Sequence, residues 1–256
     1  MRSNKRFSYT MPHIEIAAEK LFSIFGLPVT NTLLLSWVVI AVLVIIAQLI
    51  SRNLRVIPRG LQNVFELVVE YFTDMMEGIF GSRGKAEKYF PIIATIFLFV
   101  LISNWMGILP GVGSIGFYET HGEEEIFVPL FRSAGSDINF TLALAIVAVL
   151  LVNVSGICAI GFWKYAGKFF SFKDPISFFV GILEFISEFA KMVSFAFRLF
   201  GNVFAGEVLL VITGFLVPLF IPIPFLMLEI FVGFIQALVF SMLTMVFVSI
   251  AVAEQH

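Results

Sequence analysis

PISFFVGILEFISEFAKMVSFAFRLFGNVFAGEVLLVITGFLV, residues 175–217, is the stretch that decides the fold of this chain. A transmembrane helix needs about 20 mostly apolar residues, and this run would be about 65 Å long as a helix. That is roughly twice the hydrocarbon thickness of a bilayer, so the helix must tilt strongly, bend or split. Three prolines follow the run, and a second apolar run returns over residues 223–252. Because proline interrupts helices, the two runs predict a long helical hairpin with its turn near Pro218, Pro222 and Pro224.

The composition of the chain is that of an integral membrane protein. Of 256 residues, 59% are hydrophobic and 13% are charged, whereas soluble domains are about 25% charged. Three further apolar runs predict spans at residues 30–50, 89–110 and 138–162. The predicted fold is therefore all-α and polytopic, with five membrane-crossing helices in one transmembrane domain. That domain covers residues 30–252, between an N-terminal segment, 1–29, and a C-terminal tail, 253–256.

Residues 61–80 form a predicted amphipathic helix between the first two spans, since polar and apolar residues recur on opposite faces at three- and four-residue spacing. This helix is expected to lie on the membrane surface or against a partner subunit. Simple packing against the other helices is the alternative.

Loop charges predict the orientation of the chain, because cytoplasmic loops carry an excess of Lys and Arg. The loop over residues 111–137 contains one basic residue, Arg132, and five acidic ones, so it is expected to face outward. The N-terminus is then outside and the C-terminus cytoplasmic. Basic residues cluster in the segments predicted to be cytoplasmic: Arg52, Arg55, Arg59, Arg83, Lys85, Lys88, Lys164, Lys168 and Lys173.

Ionisable side chains inside the hairpin are the candidates for function, because a charge at the bilayer centre costs at least about 2.5–3.5 kcal/mol and normally faces a cavity or partner. Glu184, Lys191 and Arg198 recur every seven residues and form one stripe of the first arm. Arg198 has no acidic residue three or four positions away, so its partner is expected on another helix. Further polar residues lie beside the stripe, at Ser187, Glu188, Ser194 and Asn202.

A second polar surface is predicted away from this stripe. Glu207 is nine residues past Arg198, or half a rotation around the helix. Glu229 and Gln236 are seven residues apart and share a face of the second arm. Structural alternatives stay open for four residues: an acid in the headgroups for Glu207, and a charge cluster at the cytoplasmic end for Glu184, Glu188 and Lys191.

Five stretches resemble one known family. The run RLFGNVFAGE, residues 198–207, closely resembles the signature of subunit a of F-type ATP synthases. NWMGILPG, residues 104–111, and DINFTLAL, residues 137–144, are similar to two further segments of that family. Pro58 with Gln62 and Glu66, and QALVF at 236–240 with Leu243 and Thr244, also look like it. The resemblance covers about residues 30–252.

The resemblance implies a stator subunit whose two long tilted helices lie against a ring of c subunits, each with one carboxylate near mid-membrane. Two aqueous half-channels would bring protons or sodium ions to that carboxylate from opposite sides. Arg198 matches the family's arginine, and Asn202, Glu207 and Gln236 match its polar helpers. Family positions are also occupied by Glu184, Ser187 and Ser194; the outer half-channel would use Asp137, Asn139, Glu207 and Glu229, and the inner one Glu184, Ser187 and Glu188.

One departure from the family concerns Glu229, because many bacterial relatives have a histidine there. Both arms of the hairpin then supply a carboxylate, and if Glu207 and Glu229 are close they are expected to share a proton. The resemblance also implies that the chain carries out no ATP chemistry itself, binds no cofactor and sits in a bacterial plasma membrane. The implied partners are the c-ring, the peripheral-stalk subunit b, the rest of the ATP synthase and the lipid bilayer, with no nucleic acid.

Three other function classes predict different features. A secondary transporter would show inverted repeats, and the sequence contains no repeat. A structural scaffold would tolerate replacement of Arg198. A membrane enzyme needs a nucleophile or a metal set, and the three histidines, His13, His121 and His256, are scattered in loops and ends.

Overall fold

The computed structural model describes residues 18–24, 26–52, 60–109, 111–121, 124–169, 174–217 and 220–253. Most of the N-terminal segment and most of the C-terminal tail lie outside the described residues. The same holds for several residues used above, namely His13, Arg55, Pro58, Arg59, Pro110, Lys173, Pro218 and His256.

Seven α-helices make up most of the described chain. Five of them are long and apolar enough to cross a membrane, which confirms the all-α polytopic fold class. These five are α1 (Asn31–Arg52), α3 (Arg83–Ile108), α4 (Ile138–Ile160), α6 (Pro175–Leu216) and α7 (Pro222–Val252); the other two are α2 (Leu61–Phe80) and α5 (Phe162–Ala166).

The 42-residue α6 is one continuous helix, so the long apolar run does not split. At 1.5 Å per residue it is about 63 Å long and must tilt or bend to stay within a bilayer. The helix α4 ends at Ile160, two residues before the end of the predicted span, because Gly161 turns the chain with a φ of +87°. The helix α3 begins six residues before its predicted span, since the polar residues 83–88 continue the same helix.

Two short antiparallel hairpins lie in the segments that join or precede the helices. Strands β1 (Lys20–Ile24) and β2 (Leu27–Thr30) pair just before α1. Strands β3 (Gly116–His121) and β4 (Glu124–Pro129) pair in the loop between α3 and α4. The sequence pattern does not predict them, because two isolated strands carry little hydrophobic signal and are marginally stable without packing.

The amphipathic helix α2 packs only part of its apolar face inside the chain. Phe72, Met76 and Phe80 are buried, which agrees with simple packing against the other helices. Leu67 and Tyr71 are 67% and 64% exposed. This outer part of α2 is left for the membrane surface or a partner.

The core lies between α3, α4, α6 and α7, and polar links hold α3 to α7. Asn104 donates from Nδ2 to the carbonyl of Gly233 at 3.1 Å, and Trp105 donates from Nε1 to the carbonyl of Ile230 at 3.0 Å. A Cβ added at Gly233 would lie 3.2 Å from the Cβ of Asn104. Small residues of this kind let membrane helices approach closely.

The segment that leads into α4 is buried between four helices. Residues 132–137 are all buried, and Ala134–Ser136 form a single 3-10 turn. A Cβ at Gly107 of α3 would lie 2.5 Å from the Oγ of Ser133, and one at Gly135 would lie 2.8 Å from a methyl group of Val203 on α6. These close approaches fix the segment against α3 and α6.

Candidate functional site

Arg198 lies near the middle of α6 and is half-buried. Its Nη2 donates to the Oγ of Ser194 at 3.3 Å, one helical turn earlier. Within the described part of the chain, Arg198 forms no ion pair. The helix therefore presents a guanidinium whose charge is not matched by a carboxylate of the described residues.

The face of α6 that carries Arg198 is not covered by the rest of the described chain. The opposite face, with Phe195, Leu199 and Val203, is buried in the core. The uncovered face is lined by small residues, which would let a partner helix come close. The exposed small residues are Ser187, Ala190, Ser194, Gly201 and Ala205.

Asn202 and Gln236 link the two arms of the hairpin next to Arg198. The Nδ2 of Asn202 donates to the Oε1 of Gln236 at 2.7 Å. Gln236 is 4% exposed, and its Nε2 is buried without a hydrogen-bond partner among the described residues. Such an unpaired buried donor is costly, so Gln236 is held by its single hydrogen bond to Asn202 at the junction of the two arms.

Glu207 points away from Arg198 and pairs with Arg132. The Nε of Arg132 donates to the Oε1 of Glu207 at 3.1 Å, and only 9% of the Arg132 side chain is exposed. The sequence pattern does not place Arg132 in a site and marks it only as a loop charge. The available signal was its position as the one basic residue of an acidic loop.

Glu229 of α7 joins the same cluster. Its carboxylate packs directly on Gly206 of α6, where an added Cβ would overlap it. Gly206 directly precedes Glu207 in α6, so Glu229 lies next to the turn of α6 that carries Glu207. The two carboxylates predicted on adjacent arms are thus brought together with Arg132 at the side of α6 that faces the buried segment 132–137.

Asp137 and Asn139 lie at the start of α4. The Oδ1 of Asp137 accepts from the backbone N–H of Asn139 at 2.9 Å and so caps the helix. Its Oδ2 accepts from the Oγ1 of Thr32 at 3.0 Å, which ties α4 to α1. Asp137 is 5% exposed, whereas Asn139 is exposed. These contacts give the Asp137 carboxylate a structural role.

A second polar cluster surrounds the first half of α6. The Nζ of Lys168 lies 2.5 Å from the Oε1 of Glu184, and the Nζ of Lys191 donates to the Oε1 of Glu188 at 2.7 Å. Burial, together with the charges of Glu188 and Glu184, raises the pKa of Tyr165 to about 12. Three of the charges predicted near the cytoplasmic end therefore form ion pairs inside the chain, unlike Arg198.

Comparison with known proteins identifies the family. The family model of the ATP synthase A chain matches residues 33–249. The chain belongs to this family. A protein named ATP synthase subunit a 3 from Pelobacter propionicus is 35% identical over 223 residues, covering 86% of this chain and 87% of that protein. ATP synthase subunit a of Moorella thermoacetica is 30% identical, covering 90% and 94%, and that of Campylobacter curvus is 34% identical, covering 84% and 88%.

Family membership and the five apolar helices together identify a multi-pass membrane subunit of an ATP synthase. The resemblance drawn from RLFGNVFAGE is thereby confirmed, and so is the assignment to ATP synthesis and ion transport. Within the described residues, no cluster of three or more His, Cys, Asp or Glu side chains could hold a metal ion.

Proposed function

We propose that this chain is the stator subunit that passes ions to and from the carboxylates of a rotor ring of c subunits through two half-channels. The observation that carries this proposal is Arg198. It sits in the middle of a membrane helix, has no ion pair within the described residues, and lies on a face that the chain leaves uncovered. A charge in that position is costly unless a partner meets it.

The chemistry of the guanidinium suits the role. Arginine stays protonated in proteins, so Arg198 attracts an ionised rotor carboxylate but does not relay a proton. As a rotor site approaches Arg198, its carboxylate is stabilised in the charged form and the bound ion leaves. The fixed charge also repels cations, which prevents a direct leak between the half-channels. The membrane potential supplies about 2.3 kcal/mol per charge per 100 mV.

The two clusters beside Arg198 form the access paths. The outer path uses Glu207 and Glu229, which are adjacent, with Asn139 near its entrance and Asp137 fixing the start of α4. The inner path uses Glu184, Ser187 and Glu188. Asn202 and Gln236, joined by a hydrogen bond, lie between the two paths.

The remaining partners and the orientation complete the proposal. The exposed part of α2 and the exposed face of α1 are available to the peripheral-stalk subunit b and to lipid. The acidic loop with β3 and β4 faces outward, and the basic segments with Arg83 and Lys164 face the cytoplasm of a bacterial cell.

Replacement of Arg198 tests the proposal. Lysine keeps a charge but loses the planar fork and is deprotonated more easily on burial. We expect Arg198→Lys to abolish ion-driven ATP synthesis while the complex still assembles. We expect Arg198→Ala to make the membrane leak the ion. Both are measured in vesicles that contain the assembled complex, as ATP synthesis and as passive ion flux.

Arg83 provides the matched control. It is an exposed arginine that bridges three carboxylates at the joint of α2 and α3, and surface ion pairs contribute about 0–1 kcal/mol. Arg83→Lys and Arg83→Ala should leave synthesis and flux close to normal. Retained synthesis in Arg198→Lys would contradict the rotor role and favour a structural scaffold. If Arg198→Ala loses synthesis without a leak, the proposed charge barrier between the half-channels is wrong, whereas the attraction of the rotor carboxylate by Arg198 still stands.

A further inference from the structure

The α4–α5 corner, residues 161–169, carries a charge that the proposed function does not yet use. The Nζ of Lys168 lies 2.5 Å from the Oε1 of Glu184 on α6, and only 20% of the Lys168 side chain is exposed. The same Nζ lies 6.0 and 5.8 Å from the ring centroids of Tyr165 and Phe169. Because a cation is attracted to an aromatic face at such distances, two rings and one carboxylate together set the place of this ammonium group.

Tyr165 ties the corner to α4. It is 4% exposed, and its hydroxyl donates to the Oδ1 of Asn153 at 2.6 Å. Burial and the charges of Glu188 and Glu184 raise the pKa of this tyrosine to about 12, so the hydroxyl keeps its proton and remains a donor. Its ring lies against Gly156 of α4, where an added Cβ would overlap it. The corner therefore cannot leave α4 without breaking this hydrogen bond and opening a gap in the packing.

Gly181 brings α6 against the other end of the corner. A Cβ added there would overlap the backbone carbonyl of Phe169 and would lie 3.6 Å from the carbonyl oxygen of Lys168. Gly181 and Glu184 are three residues apart, so they are neighbours on one face of α6. The glycine thus lets the corner approach α6 next to Glu184, and this approach brings Lys168 to the carboxylate.

The two acids of the inner path obtain their partners in different ways. Lys191 lies three residues from Glu188 on the same helix, so that pair is a local feature of α6. Glu184 pairs with Lys168, which belongs to the corner and not to α6. The place of the Glu184 carboxylate therefore depends on how the corner, α4 and α6 fit together.

We propose that Lys168 is a positioning residue that holds the carboxylate of Glu184 in place at the cytoplasmic end of the inner path. This rests on the proposed function, in which Glu184 belongs to that path, and it adds the residue and the corner that set its position. Lys168 acts through Glu184 and not on the ion itself. Without Lys168 the carboxylate turns away toward water, because a part-buried charge left alone is unfavourable.

ATP synthesis per assembled complex, measured in ion-energised vesicles, tests this role. Lys168→Gln should lower synthesis by about threefold to tenfold, within the range for groups in direct contact. Lys168→Arg keeps a charged donor and should stay close to the wild type. The matched control is Lys164→Gln, because Lys164 is an exposed lysine of the same corner, and it should leave synthesis unchanged.

A second background separates positioning from a purely structural role. In Glu184→Gln the carboxylate is absent, so adding Lys168→Gln should lower synthesis hardly any further. A structural defect of the corner would instead cause the same fold-loss in both backgrounds. Equal fold-losses would overturn the proposal, as would normal synthesis in Lys168→Gln or a loss in Lys168→Arg as large as in Lys168→Gln.

Gly181→Ala decides if Glu184→Gln leaves too little synthesis to compare. Its methyl group must push the corner away from α6, so it should lower synthesis in the wild type but hardly further in Lys168→Gln. Gly214→Ala, on the open side of the same helix, is its control and should have no effect. Multiplying losses in Gly181→Ala with Lys168→Gln would overturn the proposal. Normal synthesis in Arg198→Lys would contradict the proposed function instead, and the Lys168 comparison would still judge this pair.

Discussion

At Gly206, α6 comes so close to α7 that the carboxylate of Glu229 occupies the space of a side chain. A methyl group there must displace the carboxylate, and a shift of about 1 Å in a reacting group can cost about 100-fold in rate. We expect Gly206→Ala to lower ion-driven ATP synthesis by about 10- to 100-fold, measured in vesicles with the assembled complex.

Gly214 is the matched control, because it lies on the same helix and a Cβ added there meets nothing within 4 Å. Gly214→Ala should leave synthesis near normal. Equal rates for the two alanine variants would mean that the position of the Glu229 carboxylate is not critical. A shorter acid, in Gly206→Ala with Glu229→Asp, should restore part of the lost activity.

At the scale of single elements, α6 divides into a buried side and an uncovered side. The uncovered side carries Arg198 and Ser194, and the buried side packs on α4 and α7. We expect a cysteine at position 194 to cross-link to the rotor helix that bears the carboxylate. The native Cys158 is exposed and must be replaced first.

Ile45 of α1 serves as the comparison for this cross-link. It is 56% exposed but lies on a different helix. A cysteine there should not reach the rotor, and the readout is the cross-linked product on a denaturing gel. Cross-linking from Ile45→Cys and none from Ser194→Cys would contradict the prediction that the rotor lies against the face of α6 that carries Arg198.

The contact between α3 and α7 tests how the helices are held together. Interhelical hydrogen bonds in membranes contribute about 0.6 kcal/mol on average, so Asn104→Ala should lower the free energy of unfolding by about that amount. Gly233→Val should cost more, because its side chain would meet Asn104 and force α3 and α7 apart. Denaturation of the purified chain in detergent measures both, with Gly214→Val as the control.

The whole molecule has an odd number of spans among its described residues, so its two ends are predicted on opposite sides. Tyr118 of β3 is 70% exposed and lies in the loop predicted to face outward. Lys164 of α5 is exposed and is predicted to lie on the other side, because the span α4 separates it from Tyr118. In a chain without Cys158, a membrane-impermeant thiol reagent should label Tyr118→Cys only from outside and Lys164→Cys only from inside. The reverse pattern would contradict the predicted orientation.

Hydropathy and periodicity alone establish the five spans, the long hairpin and the stripe of Arg198. Each of these depends on local properties, because a helix forms its hydrogen bonds within itself and each side chain contributes its own transfer free energy. The absence of an acid one turn from Arg198 is equally local. For the same reason, the bounds of α6 and α7 differ from the predicted runs by one residue each.

The partners of the polar residues depend on tertiary structure. Arg132 and Glu207 are 75 residues apart in the chain, and Asn202 and Gln236 are 34 apart. The sequence places Glu207 and Glu229 on two arms, but their meeting at Gly206 requires the rotation and offset of α6 against α7. These follow from how side chains and glycines of several helices fit together. That fit is a property of the packed helices as a group, which no periodicity along one helix contains.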